Sequence, residues 1–398
     1  MNNIKNIIKD LSLKLFEQIV EIRREIHQYP ELAFNEYKTS QLIVKTLSEH
    51  KIIYKKGIAK TGVIAFVQGK KNSNKCIAIR VELDALPIQE KTSLEYKSLV
   101  PGIMHACGHD IHIASAIGTA IMLNKLKNNF SGTVKILFQP SEEKLPGGAL
   151  SMIKEKVLTS PTPQSIIGQH TSPEIETGKI GIKSGNFMAS ADEIYISVKG
   201  KGGHAAMPHL LIDPIVIASH IIIALQQIIS RNANPLTPSV LSFGKFIANG
   251  ETNIIPDIVK ISGTFRTLDE KWRTKAHSLI TKVASDVAKS MKAQCEVKII
   301  KGYPILYNNI ELTEKIKKYA IEYLGETNVI DIEPRLTADD FAYFALKKPS
   351  CYYRLGVGNK NKRNTSKLHT PYFNPNETSI ITGMGLMTWI IINELQNY

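Results

Sequence analysis

Between residues 62 and 168, short apolar runs alternate with polar or glycine-rich turns. The runs cover residues 62–67, 76–81, 134–138 and 165–168, and each is typical of a buried β-strand. Residues 108–123 lie between the second and third runs and are apolar almost all round, which is typical of a helix buried against a sheet. This alternation predicts an α/β fold with a mixed, mostly parallel sheet.

Beyond residue 185 the pattern changes to a period of two. In residues 192–199 it places Ile194, Ile196 and Val198 on one face of a strand. The predicted elements that follow are a helix (213–231), two strands (238–247 and 257–266), a helix (268–290) and a strand (294–300). This β-α-β-β-α-β order is that of a ferredoxin-like split unit.

After residue 302 the α/β pattern returns, with a helix near 311–323, a strand near 351–356 and a closing helix from residue 377. The sequence therefore predicts one α/β catalytic domain, made of residues 1–187 and 303–398. A ferredoxin-like domain, residues 188–302, interrupts it.

The chain has 398 residues and a formal net charge of +14, from 50 Lys and Arg against 36 Asp and Glu. Nine of the bases are Arg, which leaves 50 − 9 = 41 Lys, and they are scattered over many segments. Proteins that bind nucleic acids use Arg as well as Lys and cluster them. We therefore predict a solvated basic surface with no nucleic-acid partner, compatible with anionic substrates.

The cysteines and the apolar segments indicate in which cellular compartment the protein is located. Cys76, Cys107, Cys295 and Cys351 have neither the spacing of a CxxC zinc motif nor the density of a disulfide framework. Residues 1–26 have helical spacing without the apolar core of a signal peptide, and no stretch approaches 18 uninterrupted apolar residues. We predict reduced thiols, a cytoplasmic location and no membrane partner.

Side chains that bind metals follow the predicted strands. In an open parallel sheet, ligands bind beyond the carboxyl ends of the strands. The residues at those ends are Glu82 and Asp84, Glu142 and Glu143, and His170, while Cys107 and His109 precede the buried helix. Alone, a Cys is usually a buried apolar residue and a His a structural one. Together, the thiol, imidazoles and carboxylates predict a site for Zn²⁺, Mn²⁺, Co²⁺ or Ni²⁺, in which one ligand can bridge two ions.

The adjacent Glu142 and Glu143 suit two different roles. Surface glutamate pairs are common and often only solvated, but neighbours in an extended turn point in different directions. One can bind a metal while the other carries a proton, and hydrolysis needs that division. A thiol enzyme with Cys107 as nucleophile and His109 as base is an alternative.

Six segments resemble the M20 metallopeptidase family, specifically its amidohydrolase branch with Cys-Gly-His-Asp. That branch includes hippurate hydrolases, auxin-conjugate hydrolases and N-acetyl-amino-acid deacetylases. The segments are RREIHQYPE (23–31), ELDALP (82–87), MHACGHD (104–110), PSEE (140–143), GKGGHAAMPH (200–209) and LHTP (368–371). The resemblance covers essentially the whole chain in order.

The resemblance implies two divalent ions in each subunit, with Mn²⁺ or Zn²⁺ favoured and Co²⁺ or Ni²⁺ compatible. The implied ligands are Cys107, His109, Glu143, His170 and His369, with Cys107 bridging the ions. Glu142 would be the general acid/base. Asp84 and Asp110 would orient imidazole ligands, although Asp84 also suits a simple turn after a strand.

For the inserted domain, the resemblance implies a lid and a homodimer contact. His204 would help to hold the oxyanion, whereas a glycine-rich hairpin with an exposed histidine is the structural alternative. Asn253 and Arg266 would contact the substrate, the latter at its carboxylate. The apolar helix 213–231 suits core packing or a dimer interface.

The expected activity is metal-dependent hydrolysis of the amide bond of an N-acyl-amino acid, of the hippurate or N-acetyl type. A metallo-aminopeptidase, dipeptidase or carboxypeptidase acting on short peptides is the alternative, because the same metal site attacks either bond. A binding protein without catalysis would lack Glu142 or a ligand, and the sequence contains all of them.

Overall fold

The computed structural model describes residues 2–359 and 366–396. Its α-helices in this part of the chain are α1 Asn2–Gln28, α2 Tyr37–Glu49, α3 His109–Lys125, α4 Gly148–Lys154, α5 Pro214–Gln227, α6 Glu270–Ser290, α7 Ile310–Leu324, α8 Phe341–Ala345 and α9 Ser379–Gln396.

The strands are β1 Ile53–Ile58, β2 Gly62–Gln68, β3 Lys71–Glu82, β4 Ser131–Gln139, β5 Ser165–Glu176, β6 Ile180–Ile182, β7 Gly185–Met188, β8 Asp192–Lys199, β9 Gly203–His204, β10 Ser239–Ala248, β11 Ile254–Ile255, β12 Ile258–Thr267, β13 Gln294–Lys301, β14 Leu306–Asn308, β15 Val329–Asp331 and β16 Ser350–Gly358.

The chain divides into two units. The first consists of Met1–Phe187, Tyr307–Glu333 and Asp340–Tyr398, and the second of Met188–Leu306 and Pro334–Asp339.

The first unit contains an eight-stranded sheet in the order β1-β2-β4-β3-β5-β16-β6-β15. Strands β4, β3, β5 and β16 pair in parallel, as do β15 and β6, whereas β1 with β2, β2 with β4 and β16 with β6 are antiparallel. Ile79 illustrates the register, since it lies opposite Ile136 on one side and Ile167 on the other. The predicted α/β class with a mixed, mostly parallel sheet is confirmed.

Two apolar helices cover this sheet because they have no polar face to turn to water. Every residue of α3 from His109 to Leu123 is buried, and so is nearly all of α9. Helix α3 packs against α1, α9 and strand β3. The amino end of α3 is therefore fixed at the carboxyl ends of the strands, where the predicted ligands follow.

Strand β5 is longer than the predicted run 165–168. Its pairing with β3 ends where Gly168 lies opposite Arg80, but its pairing with β16 continues through Ser172. His170 therefore lies within a strand but beyond its last pairing with β3. This places its side chain at the sheet edge while its backbone stays hydrogen-bonded.

The second unit contains an antiparallel sheet in the order β10-β12-β8-β13, with helices α5 and α6. Its core joins the inward faces of β8 and β12 to α5 and α6. Helix α5 begins one residue later than predicted, because Asp213 is its N-cap and accepts the N–H of Ile215. At its end the helix continues as a π-helical turn, Ile228–Asn232.

The segment Pro214–Asn232 is long and apolar enough to cross a membrane by length and composition, and one third of its apolar stretch is buried. Helices in the cores of proteins can have the same length and composition. Ile217, Ile221 and Leu225 of α5 lie in the core of the second unit, which accounts for part of this composition.

Candidate metal centre

A tight turn at the start of α3 presents Cys107 and His109. Between them, Gly108 is the N-cap with φ +83°. A Cβ atom there would lie 2.7 Å from Thr171 Oγ1, so both conformation and space require glycine. The turn aims the thiol and the imidazole at one region.

The other predicted ligands converge on Cys107. Its Sγ lies 3.4 Å from His170 Nε2 and 3.3 Å from His369 Nε2. Glu143 Oε1 lies 3.2 Å from His369 Nε2. Two groups that contain Cys107 have ligand atoms within 4.8 Å of one another: Cys107, His109 and His170 form the first, and Cys107, Glu143 and His369 the second. Cys107 belongs to both groups.

The two buried imidazoles are held with their Nε2 atoms available for a metal. His109 Nδ1 donates to the Asp84 carbonyl at 2.8 Å, and His170 Nδ1 donates to the Thr171 carbonyl at 2.8 Å. Carbonyl oxygens only accept, so each Nδ1 carries a proton, and in the neutral imidazole the lone pair of Nε2 is then the one available to a metal. His109 Nε2 is buried and has no hydrogen-bond partner among the described residues. An unpaired buried nitrogen beside a thiol fits a divalent ion.

The charges around the site also favour a cation. Burial, followed by the negative charges of Glu143 and Glu142, raises the pKa of the Cys107 thiol well above its usual range. Burial alone would lower the pKa of His109, but the hydrogen bond toward Asp84 and the nearby Glu82 outweigh it and raise the pKa to about 10. The nearby carboxylates therefore stabilise positive charge at the site, whether it is carried by a proton or by a metal ion.

The environment of His170 shifts the pKa of its imidazole in the opposite direction to that of His109. Burial and the nearby Arg354 hold the pKa of His170 well below its usual range. Its imidazole is therefore neutral, which is the form that binds metals.

Asp84 organises the turn that carries the two glutamates. Its Oδ1 accepts the Glu142 N–H and its Oδ2 accepts the Glu143 N–H, both at 2.9 Å. Its carboxylate is 3.7 Å from His109 Nδ1, whereas its backbone carbonyl is the hydrogen-bond acceptor of that nitrogen. Asp84 thus fixes an imidazole through its backbone and the glutamate turn through its side chain.

His369 approaches from a distant part of the sequence. Its backbone has φ +60°, and its N–H donates to the Ala106 carbonyl at 2.8 Å. About half of its side chain is exposed. The link to Ala106 joins the segment near residue 369 directly to the Cys107 turn.

Asp110 follows the proposed ligand His109 in the sequence, and the resemblance implies that its carboxylate orients an imidazole ligand. In the structure this carboxylate contacts other residues. Its Oδ2 lies 2.8 Å from both Arg23 Nε and His27 Nδ1. Arg23 and Arg24 in turn pair with Glu377. The side chains of Arg23, His27 and Asp110 are fully buried. Asp110 therefore ties the start of α3 to α1, and the imidazole that it orients is that of His27.

A buried carboxylate that the sequence analysis did not single out supports the turn before Glu142. Glu36 Oε1 accepts the N–H groups of Phe34 and Ser141, and its Oε2 accepts the Thr61 hydroxyl. Ser141 has φ +51°. Burial raises the pKa of Glu36 from 4.5 to about 7, against the lowering effect of Thr61.

We expect Glu36→Gln to stabilise the metal-free protein at pH 8 but not at pH 4.5. A carboxyl with a raised pKa in the folded state keeps a proton that the unfolded chain has lost, so the wild-type free energy of unfolding falls between pH 4.5 and 7. The full shift corresponds to about 3 kcal/mol. Urea unfolding across this range measures the difference, with Glu49→Gln at the exposed end of α2 as control. A difference between wild type and Glu36→Gln that does not change with pH would contradict the expectation.

The remaining predicted site residues belong to the second unit. His204 is exposed on β9, and its Nδ1 accepts the Ala206 N–H at 3.1 Å. Asn253 is also exposed, and its carbonyl accepts the Ala205 N–H at 2.9 Å, which brings it next to His204. Arg266 is half-buried on β12, where its Nε donates to Thr264 Oγ1 at 3.1 Å. The roles of these three residues stay predictions.

Comparison with known proteins identifies relatives over nearly the full length. Peptidase family M20/M25/M40 matches residues 78–393. The N-acetyl-L-cysteine deacetylase of Bacillus subtilis strain 168 is 38% identical over 367 residues, covering 92% of this chain and 86% of that protein. Thermostable carboxypeptidase 1 of Saccharolobus solfataricus is 38% identical over 365 residues, covering 91% and 90%.

A solved structure has the same fold. It is a dinuclear metal-binding peptidase of the M20 family from Bacillus subtilis, 33% identical, with a TM-score of 0.83. The match covers 97% of this chain and 99% of that chain.

Proposed function

The chain belongs to peptidase family M20/M25/M40, and from this membership we propose that it hydrolyses the amide bond of N-acyl-amino acids. The family assignment makes it a metal-dependent amide hydrolase. The deacetylase relative, similar over 92% of this chain, supports the acyl-amino acid substrate class. The observation that carries the proposal is the pair of ligand groups that share Cys107, with Glu142 beside them.

The proposed ligands of the two ions are Cys107, His109, Glu143, His170 and His369. Cys107 would bridge the ions because its Sγ contacts one imidazole of each group, His170 Nε2 at 3.4 Å and His369 Nε2 at 3.3 Å. A set with one thiolate, three imidazoles and one carboxylate suits Zn²⁺ and Mn²⁺, and also admits Co²⁺ and Ni²⁺.

Metal ions bound there would polarise the amide carbonyl and lower the pKa of water toward about 7. Glu142 then accepts the proton of the attacking water and delivers it to the nitrogen of the leaving amine. The net reaction consumes one water and one amide, and yields a carboxylate and a free amino acid. Asp84 keeps the Glu142 carboxylate in place for both transfers by fixing the backbone on either side of it.

A substrate panel tests the function. Chelator-treated protein should hydrolyse at least one of the N-acetyl-, N-benzoyl- or N-succinyl-amino acids once Mn²⁺, Zn²⁺, Co²⁺ or Ni²⁺ is restored, and none of them before. Release of the free amino acid measures the reaction and ranks the acyl groups. Protein that binds two ions and cleaves none of these compounds would contradict the proposal.

Peptide hydrolysis is the second candidate, and the carboxypeptidase relative favours it. The same catalytic groups would attack a peptide bond. Dipeptides and N-blocked peptides in the same assay distinguish the two functions. Cleavage of short peptides without cleavage of acyl-amino acids would establish this alternative.

A homodimer formed through the second unit is part of the proposal. Val216 and Ile223 on α5 are 49% and 69% exposed, and Phe246 on the edge strand β10 is 41% exposed. Exposed apolar side chains on a helix and a neighbouring sheet edge are typical of an interface. A monomeric mass in solution would remove this part of the proposal.

A cytoplasmic location is also proposed. All four cysteines are free thiols, which suits a reducing compartment.

A further inference from the structure

His112 lies one turn after His109 in α3 and is fully buried. Its Nδ1 is 2.7 Å from Glu82 Oε2, and its Nε2 is 2.8 Å from the Thr171 N–H. A backbone N–H can only donate, so Nε2 accepts and Nδ1 carries the proton toward Glu82. Both nitrogens of His112 are therefore engaged, and its tautomer is fixed.

Thr171 connects His112 with two of the proposed ligands. While its N–H donates to His112, its carbonyl accepts the Nδ1 proton of His170 at 2.8 Å. Its hydroxyl donates to the Cys107 carbonyl at 2.7 Å. One residue thus contacts His112, the His170 imidazole and the backbone of the Cys107 turn.

The other side of His112 is anchored by a carboxylate that has little freedom to move. Glu82 accepts the Tyr352 hydroxyl at 2.7 Å and pairs with the buried Arg80 guanidinium. Glu82, Arg80 and Tyr352 are all fully buried. A satisfied buried network of this kind holds its members in one orientation.

A metal-ligand role for His112 is the competing explanation. Ligand atoms of Glu82, His109 and His112 lie within 4.8 Å of one another. However, a metal on Nε2 would displace the Thr171 N–H, and that buried donor would then lose its acceptor. The geometry therefore favours hydrogen bonding over coordination.

We propose that His112 is a positioning residue for the metal centre. By accepting the Thr171 N–H it holds Thr171 in place, and the carbonyl of Thr171 orients the His170 imidazole. This inference rests on the ligand set of the proposed function. It adds a residue that touches neither substrate nor metal and acts through Thr171.

Two substitutions separate the hydrogen bond to Thr171 from general packing. The side-chain amide of Gln reaches the position of imidazole Nε2, whereas that of Asn reaches only the position of Nδ1. His112→Asn keeps a donor toward Glu82 but leaves the Thr171 N–H unpaired, and His112→Gln supplies an acceptor for it. The matched control is His277→Asn, since His277 Nε2 makes a 2.7 Å contact to Asp192 within the second unit.

The readouts are the Co²⁺ affinity of chelator-treated protein, measured by calorimetry, and the visible spectrum of the Co²⁺ form, which reports ligand geometry. We expect His112→Asn to weaken binding of one ion by about 10–100-fold and to change the spectrum. His112→Gln should stay within about 10-fold of wild type, and His277→Asn should match wild type. Wild-type affinity and spectrum in His112→Asn, or equal losses in the Asn and Gln variants, would overturn the proposal.

Two further measurements complete the test. His170→Ala should itself weaken metal binding. If it does not, His170 is not a metal ligand and the proposed ligand set is wrong. The failure then lies in the proposed function and not in the role of His112. If His112→Asn does not fold, ¹⁵N-histidine NMR of the wild-type protein still decides. The expected signal is a neutral His112 protonated at Nδ1, and protonation at Nε2 would refute the positioning role.

Discussion

Replacing Glu142 by Gln should lower kcat by about 10²–10⁴-fold on whichever acyl-amino acid the protein cleaves best, without loss of metal. Gln has the same shape and keeps the backbone N–H that Asp84 accepts at 2.9 Å. It cannot take a proton from water, so the step that generates the nucleophile loses its base. The measurements are steady-state kinetics and metal content of the same preparations.

Glu155→Gln is a suitable control for this substitution. Glu155 lies just after α4, and its carboxylate accepts one backbone N–H, that of Ala59. The chemical change is identical but lies outside the proposed site, so kcat should be unchanged. A Glu142→Gln protein that retains turnover, or whose activity falls only in proportion to its metal content, would show that Glu142 is not the general base.

Much of the fold could be predicted because each apolar run maps onto one element. The strand predicted at 192–199 is β8, Asp192–Lys199, and the helix predicted at 108–123 is α3, His109–Lys125. These elements are long and their periodicity is unambiguous. The short strands β6, β7 and β15 were not predicted, because each has only three or four residues and its pairing is not encoded locally. Helix α2 was also missed, although it has 13 residues and buries Ile43 and Leu47 on one face.

The resemblance to the M20 family is confirmed by the match over residues 78–393. The site could not be predicted from local patterns, since its residues come from separate segments of the chain. His369 follows Cys107 by 262 positions, yet the two side chains approach within 3.3 Å. No periodicity connects them, and only the resemblance selected His369.

The supporting residues had weaker signals. His112 follows His109 by three positions, which places both on one face of α3 and was a usable hint. Glu36 and Thr171 had none, because the residues that they bind are distant in sequence: Glu36 accepts the Ser141 N–H, and Thr171 bonds to His112 and to the Cys107 carbonyl. Asp110 shows the limit of the resemblance, since the structure directs this carboxylate to Arg23 and His27.

Removing the thiol of Cys107 should have the second large effect. Cys107→Ala deletes the ligand shared by both groups, so we expect the protein to hold at most one ion tightly. Mutation of a residue that only hydrogen-bonds to a metal ligand weakens metal binding by roughly 10–100-fold. Because Cys107 is itself a proposed ligand, its removal should weaken binding of the other ion by more than that. Turnover of the preferred substrate should fall with it. Calorimetry with Co²⁺ and kinetics on the same protein measure both.

Cys107→Asp distinguishes a bridging role from a purely structural one. A carboxylate can also bridge two ions. We expect Cys107→Asp to regain the second ion, with preference shifted from Zn²⁺ toward Mn²⁺, because oxygen is a harder ligand than sulfur. The band due to charge transfer from thiolate to Co²⁺ should be absent from both variants.

Cys351→Ala is the matched control, since Cys351 is also a fully buried free thiol and lies on β16. It should lose stability through the cavity that it creates, but it should retain two ions and the charge-transfer band. Two tightly bound ions in Cys107→Ala would exclude the bridge. Equal metal loss in Cys107→Ala and Cys351→Ala would assign the effect to packing, because then the position of the thiol among His170 and His369 would not matter.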